Sequence, residues 1–195
     1  MASLDLKNKN SASAASNDRF SRNQRQELRE NRLEKFLSAF LFIFLFFITV
    51  AVYFLDKQYF LCPIEYKRGI IIRRDDFGEG DFGAPRSRNR KHQGIDLYAP
   101  INTEIRAVRF SYVKETGFHK NLGNYVELYH PGNLVTIYGH LSKILVKPTR
   151  WIPQGEVIGY VGKSGNARHP KILPHLHFEI RRKNVPINPL GWLED

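Results

Sequence analysis

Asn124–His130 reads NYVELYH and Leu134–His140 reads LVTIYGH, with Pro131-Gly132-Asn133 between them. Both runs are rich in β-branched and aromatic residues, the composition of strands, and a Pro-Gly turn between two such runs predicts a hairpin. Similar short runs lie to either side: Gly69–Arg73 and Glu104–Val108 before, then Ile144–Lys147, Glu156–Val161 and His175–Arg181 after. Beyond residue 60 there is no amphipathic helical pattern of useful length and no internal repeat. Many short strands separated by Gly and Pro predict an all-β domain, a sandwich or small barrel.

Towards the N-terminus the pattern changes. Phe36–Leu55 reads FLSAFLFIFLFFITVAVYFL, twenty residues without a charge. That is about the length a helix needs to cross ~30 Å of hydrocarbon. A cleavable signal has a shorter apolar core and a small-x-small site after it. Here Asp56-Lys57-Gln58-Tyr59-Phe60-Leu61-Cys62 follows, and Leu61 fits a lipoprotein processing site poorly. Residues 36–55 are therefore expected to remain as a transmembrane anchor. Arg29, Arg32 and Lys35 crowd its N-terminal edge and only Lys57 lies close on the other. That asymmetry predicts a cytoplasmic N-terminus and a C-terminal domain outside, although Lys67, Arg68, Arg73 and Arg74 weaken it over wider windows. Residues 1–35 form the tail: small and polar to about residue 18, as in disordered segments, then rich in helix formers from Arg19 to Lys35. A short linker is expected over 56–68 and the folded domain over 69–195.

The 195 residues suffice for one domain plus accessory segments. A net charge of +11 implies anionic surroundings, whether lipid headgroups, an acidic wall polymer or nucleic acid. The anchor makes nucleic acid the least favoured, and none is expected as a partner. The single cysteine, Cys62, excludes an internal disulfide framework and a thiolate-rich metal site.

Three features of the β domain could carry chemistry: His92-Gln93-Gly94-Ile95-Asp96, Tyr138-Gly139-His140 and His175-Leu176-His177. Residues four apart on an extended strand are separated by roughly 13 Å, too far to share one ion, so His92 and Asp96 converge only if the chain bends, most easily at Gly94. His175 and His177, two apart, project from one face without a bend. Imidazoles with one carboxylate and an open position for water suit zinc. Spacing alone does not select the ligands. Both histidines of the HxH could bind, leaving His140 as the only base.

The stretches HQGIDLYAP, NYVELYHPGNLVTIYGHLSKILV, QGEVIGYVGKSGN and PHLHFEIRRKNVPINPL, in this order, resemble the LytM/lysostaphin-type (M23) zinc peptidases over roughly Gly69 to Leu193. The resemblance implies a mostly antiparallel β domain, Zn2+ held by His92, Asp96 and His177, and His140 and His175 acting on the water and the transition state. It implies metal-assisted hydrolysis of peptide bonds in peptidoglycan, at cross-links or stem peptides, by an enzyme of the bacterial cytoplasmic membrane facing outward. A cell-wall or division-machinery protein is a further partner such an enzyme could have. The alternative is a non-hydrolytic regulator that activates other wall hydrolases, but relatives of that kind lose ligands and all five positions are present here.

The chain departs from the family before its HxH element, where Ile172-Leu173-Pro174 stands in place of the usual Thr-Gly-Pro. The loop Ser164–Leu173, with Arg168, His169 and Lys171, is thus expected to alter one wall of the cleft. His119, His130 and His169 read as surface or turn residues. Glu179 falls on the same strand face as His175 and His177, as a solvated charge or a partner of a ligand.

Overall fold

The structure is a computed structural model and describes residues 26, 28–51 and 60–194. It divides into two units, Met1–Leu55 and Asp56–Asp195. In the first, Leu28–Ala51 is one continuous helix, α1, long and apolar enough to cross a membrane. Its 24 residues span about 36 Å at ~1.5 Å each. Its few hydroxyls are satisfied by its own backbone: Ser38 Oγ donates to Lys35 O at 3.0 Å and Thr49 Oγ1 to Leu45 O at 2.6 Å. That leaves an outer surface of Leu, Ile and Phe suited to lipid. Helix continues from Leu28 through Lys35 into the apolar run, as the helix-forming composition of that segment predicts. The disorder expected for residues 1–18 and the anchor's last residues, 52–55, lie outside the described residues.

The second unit is built on a mostly antiparallel nine-stranded sheet. Its strands are β1 (Ile95–Tyr98), β2 (Glu104–Arg106), β3 (Ser111–His119), β4 (Gly123–His130), β5 (Leu134–Ile144), β6 (Trp151–Ile152), β7 (Val157–Val161), β8 (His175–Arg182) and β9 (Val185–Ile187). Along one path the order is β6-β3-β4-β5-β7-β2, and β8 pairs with β5, β9 and β1. The hairpin expected from the sequence is β4–β5, closed by Gly132 and Asn133 at φ of 83° and 58°, values that Gly and Asn adopt most readily. β5 serves two partners in turn. Leu134–Gly139 pairs with β8 and Leu141–Ile144 with β7, and the register slips between Tyr138 and Leu141.

Apolar side chains from these strands form the core, with Tyr138 and Phe178 fully buried at its centre, ring centroids 5.2 Å apart. One strand was not foreseen, and two expected ones need correction. Ser111–His119 is a nine-residue strand that the sequence pattern hides, since only its first residues bury apolar groups and the rest is exposed or half-buried beside β4. Gly69–Arg73 is not a strand; only Ile72 bridges, to Leu97. Ile144–Lys147 is not a separate strand either, because β5 runs through to Ile144. Part of the segment read as a linker is folded as well. Phe60–Leu61 pairs in parallel with Leu193–Glu194, and Phe60 and Ile64 are buried in the core.

Candidate metal centre

β8 is the axis of the site. Its register sets His177 opposite Asp96 of β1 on one side and Gly139 of β5 on the other, so three neighbouring strands meet at one level. Alternation then places His175, His177 and Glu179 on one face of β8. His92 reaches the same point because the chain bends at Gln93–Gly94 before β1 begins. Gly94 is required there by close packing. A Cβ on it would lie 2.3 Å from the carbonyl oxygen of Phe178.

His92 Nε2, His177 Nδ1 and Asp96 Oδ1 converge. The separations are 3.0 Å between the two nitrogens, 3.1 Å from His92 to Asp96 and 2.9 Å from His177 to Asp96. A tetrahedral ion with bonds of ~2.0–2.1 Å holds its ligands about 3.3 Å apart, so this triangle is within a few tenths of an ångström of one face of such a site. All three residues are buried. The far side of each ring is fixed. His92 Nδ1–H donates to Asp81 O at 2.9 Å, and His177 Nε2–H donates to Glu179 Oε1 at 2.9 Å. Both remaining lone pairs thus point at the common centre, the usual outer arrangement of metal-binding imidazoles. Among the described residues this is the one group of His, Cys, Asp or Glu side chains so arranged.

Charges around the triangle are paired. The second oxygen of Asp96 accepts from Arg73 at 3.0 Å and from Arg86 at 3.3 Å. Burial alone would raise the Asp96 pKa, but the adjoining His177 and His92 imidazoles outweigh it and hold the carboxylate well below its ordinary range. Burial would likewise lower the His177 pKa, yet hydrogen bonds to Asp96 and Glu179 push it up to about 9, so a metal bound at Nδ1 takes the place of a proton. Arg181 completes the chain by donating to Glu179 Oε2 at 2.7 Å through Nε. Glu179 is buried, so its reading as a solvated charge is set aside in favour of a partner of His177.

His140 and His175 stand beside this group, their ring centroids 4.8 Å apart, with His140 5.8 Å from the His177 ring. His140 sits at the slip in β5 with φ of 64°, a left-handed conformation that costs a non-glycine residue about 1–2 kcal/mol. The bulge turns its side chain towards β8 rather than along the strand. Each ring donates through Nδ1 to a backbone carbonyl, His140 to Ser164 O at 3.0 Å and His175 to Leu173 O at 2.7 Å. The Nε2 atoms are left as acceptors, and that of His175 is 3.9 Å from Asp96 Oδ1. Burial chiefly lowers both pKa values, to about 3 for His140 and about 4 for His175, so both rings are neutral at pH 7. The loop that holds them is pinned in turn. Gly123 and Gly165, both at φ of 67°, approach so closely that a Cβ on Gly123 would lie 2.1 Å from Ser164 Oγ.

All five residues singled out from the sequence are thus brought to one place, on the floor of a cleft of about 780 Å³. Sequence reasoning missed Arg73 and Arg86, whose contacts with Asp96 span 23 and 10 residues of chain and leave no local pattern. His169 is exposed in the middle of the unusual loop, its ring tilted against Phe77 with centroids 4.5 Å apart. His119 is exposed beside the cleft. His130 is not a surface residue. It is buried, donating from Nδ1 to Phe110 O at 3.2 Å, with Thr136 Oγ1 2.7 Å from Nε2.

Comparisons with known proteins bear on the same stretch. The chain is 28% identical over 135 residues to the peptidoglycan DD-endopeptidase ShyC of Vibrio cholerae, covering 69% of this chain and 29% of that protein. It is 37% identical over 102 residues to the DD-carboxypeptidase/endopeptidase Mpg of Neisseria meningitidis, covering 52% and 23%. The chain thus spans less than a third of the length of these curated relatives. A zinc-containing peptidase from Vibrio cholerae has a similar structure, with a TM-score of 0.52 and 27% identity over 67% of this chain and 39% of that one. The model of peptidase family M23 matches residues 90–189, just over half of the chain and the whole of the His-rich cleft floor, and the protein belongs to that family.

Proposed function

We propose that the protein is a membrane-anchored zinc endopeptidase that hydrolyses peptide bonds of peptidoglycan. The observation that carries this reading is the geometry of five side chains. Three donor atoms lie about 3 Å apart, and two neutral imidazoles present free Nε2 atoms to the same space. His92, Asp96 and His177 are the metal ligands on this reading, and His140 and His175 are the catalytic pair. Zinc bound there supplies Lewis acidity, making a water nucleophile available at neutral pH. The histidines do the proton work. With Nδ1 committed to a carbonyl, each neutral ring can accept a proton only at Nε2, the atom that faces the site. Once protonated, that Nε2–H can donate to the developing oxyanion or to the leaving amine. Arg73, Arg86 and Glu179 hold the ligands in orientation.

Helix α1 is the anchor, with the cationic flank Arg29, Arg32 and Lys35 in the cytoplasm and the peptidase domain outside the cytoplasmic membrane of a bacterium. The ShyC and Mpg likenesses support peptidoglycan as the substrate. The test is digestion of purified peptidoglycan by the full chain in detergent micelles, with products identified by mass spectrometry. Soluble fragments with newly exposed peptide termini, lost on adding a zinc chelator and restored by zinc, are expected. An intact wall digest from a zinc-loaded, folded protein would contradict the proposal.

A further inference from the structure

Arg86 and Arg90 face each other across a small hairpin, Pro85–Arg86 with Arg90–Lys91, that leads directly into His92. Its turn holds Arg88 and Asn89 at φ of 60° and 55°. Asn tolerates that conformation, whereas an arginine in it is unusual and carries a backbone cost. Beside this turn lies a second recess of about 570 Å³, lined by Ser87, Arg88, Arg90, Lys120 and Asn121. Arg90 and Asn121 line the metal cleft as well, so the two spaces share a wall.

The charges of the two spaces differ in kind. In the cleft, Asp96 and Glu179 are matched by Arg73, Arg86 and Arg181. The recess contains three cations, Arg88, Arg90 and Lys120, and no acidic residue. None of the three forms an ion pair among the described residues, and Arg90 uses only Nε internally, donating to Ser87 O at 3.2 Å. Three exposed cations held together without a counter-charge repel one another and gain from an anion placed among them. Arg90 keeps its terminal nitrogens for a planar anion, to which guanidinium binds in a two-point fork.

We propose that this recess binds a free carboxylate of the peptide being cut, so that Arg90, with Arg88 and Lys120, selects substrates carrying a negative charge to one side of the scissile bond. The assignment rests on the peptidase reading above and narrows its substrate class. A long polyanion is a different occupant, and equal behaviour of the two dimers below would count against the peptide carboxylate.

The experiment uses the full chain in detergent micelles and two synthetic cross-linked stem-peptide dimers, identical except that one carries a free carboxylate near the cross-link and the other its amide. For the zinc-loaded protein, kcat/KM is expected to be roughly 10- to 100-fold higher for the carboxylate form, the scale of a hydrogen-bonded charge pair. Arg90→Gln combined with Lys120→Gln, both at exposed positions, is expected to bring that ratio to within about twofold of one, against the charge-pair scale. Fluorescence anisotropy of the same labelled dimers on chelator-treated protein reads the recess without hydrolysis. If neither dimer is cut but the carboxylate form binds more tightly, and only in the unsubstituted chain, the peptidase reading fails while the recess assignment stands. Equal cutting and equal binding of the two dimers would overturn the assignment. So would a preference that survives in the double variant, or a failure to bind either dimer.

Discussion

Replacing Glu179 separates a buried support from a bystander charge. Its Oε1 accepts the His177 Nε2 proton at 2.9 Å, and its Oε2 is held by Arg181 at 2.7 Å, with His177 and Glu179 both buried. Glu179→Gln keeps an acceptor of the same size and removes the charge. Glu179→Ala removes the acceptor, leaving a buried N–H without a partner at a cost of about 1–3 kcal/mol. Losing such an outer partner weakens metal affinity by roughly 10- to 100-fold, about 1.4–2.7 kcal/mol. The Gln variant is expected near the low end of that range and the Ala variant near the high end. The assay is competition for zinc between the protein and a chromophoric chelator, at fixed pH, with circular dichroism as the folding control. Both variants holding zinc within about twofold of the unsubstituted chain, well short of that range, would refute the idea that Glu179 orients His177.

Other predictions follow from the fold and its titrating groups. His130 is buried neutral with its pKa lowered to about 4, chiefly by burial, against an unfolded value of about 6.5. A lowered folded pKa gives stability that is present above pH 6.5 and lost as pH falls through 4, so the advantage of the native chain over His130→Gln should shrink by about 3 kcal/mol across that window in urea melts. An advantage independent of pH would contradict it. Gly94→Ala drives a Cβ against the Phe178 carbonyl and should cost about 1–3 kcal/mol and weaken zinc binding, read by melting and chelator competition. Wild-type behaviour would mean that the bend is not fixed by packing. Phe60→Ala should cost about 3–5 kcal/mol in urea melts if the domain begins there, and nothing if residue 60 belongs to a free linker.

What could be read from the sequence depended on how local the cause was. The β4–β5 hairpin was legible because strand composition and a Pro-Gly-Asn turn are written side by side. The convergence of His92 and Asp96 required only a bend at a glycine, and the HxH pair only strand alternation. β3 was not legible, since its latter half is polar and takes its structure from pairing with β4. His130 was misread for a related reason: its place beside Pro131 resembles a turn, and its burial comes from Thr136 and Phe110 across the hairpin and beyond. The choice of ligands within the HxH came from family resemblance, because spacing left it open. In the structure His177 Nδ1 points into the triangle while His175 Nε2 stands 3.9 Å from Asp96, a distinction set by the register of three strands.

That distinction is the core of the account, and zinc content measured beside hydrolysis tests it directly. Mass spectrometry of the metal should be run on His175→Ala, His177→Ala and His140→Ala together with peptidoglycan digestion, each variant checked for fold by circular dichroism. His177→Ala is expected to lose zinc and activity together. His140→Ala and His175→Ala are expected to keep about one zinc per chain while hydrolysis falls by roughly 100-fold or more, the scale of losing a positioned acid–base group. A folded His175→Ala chain that loses zinc as completely as His177→Ala would make both histidines ligands and contradict the division of labour proposed here.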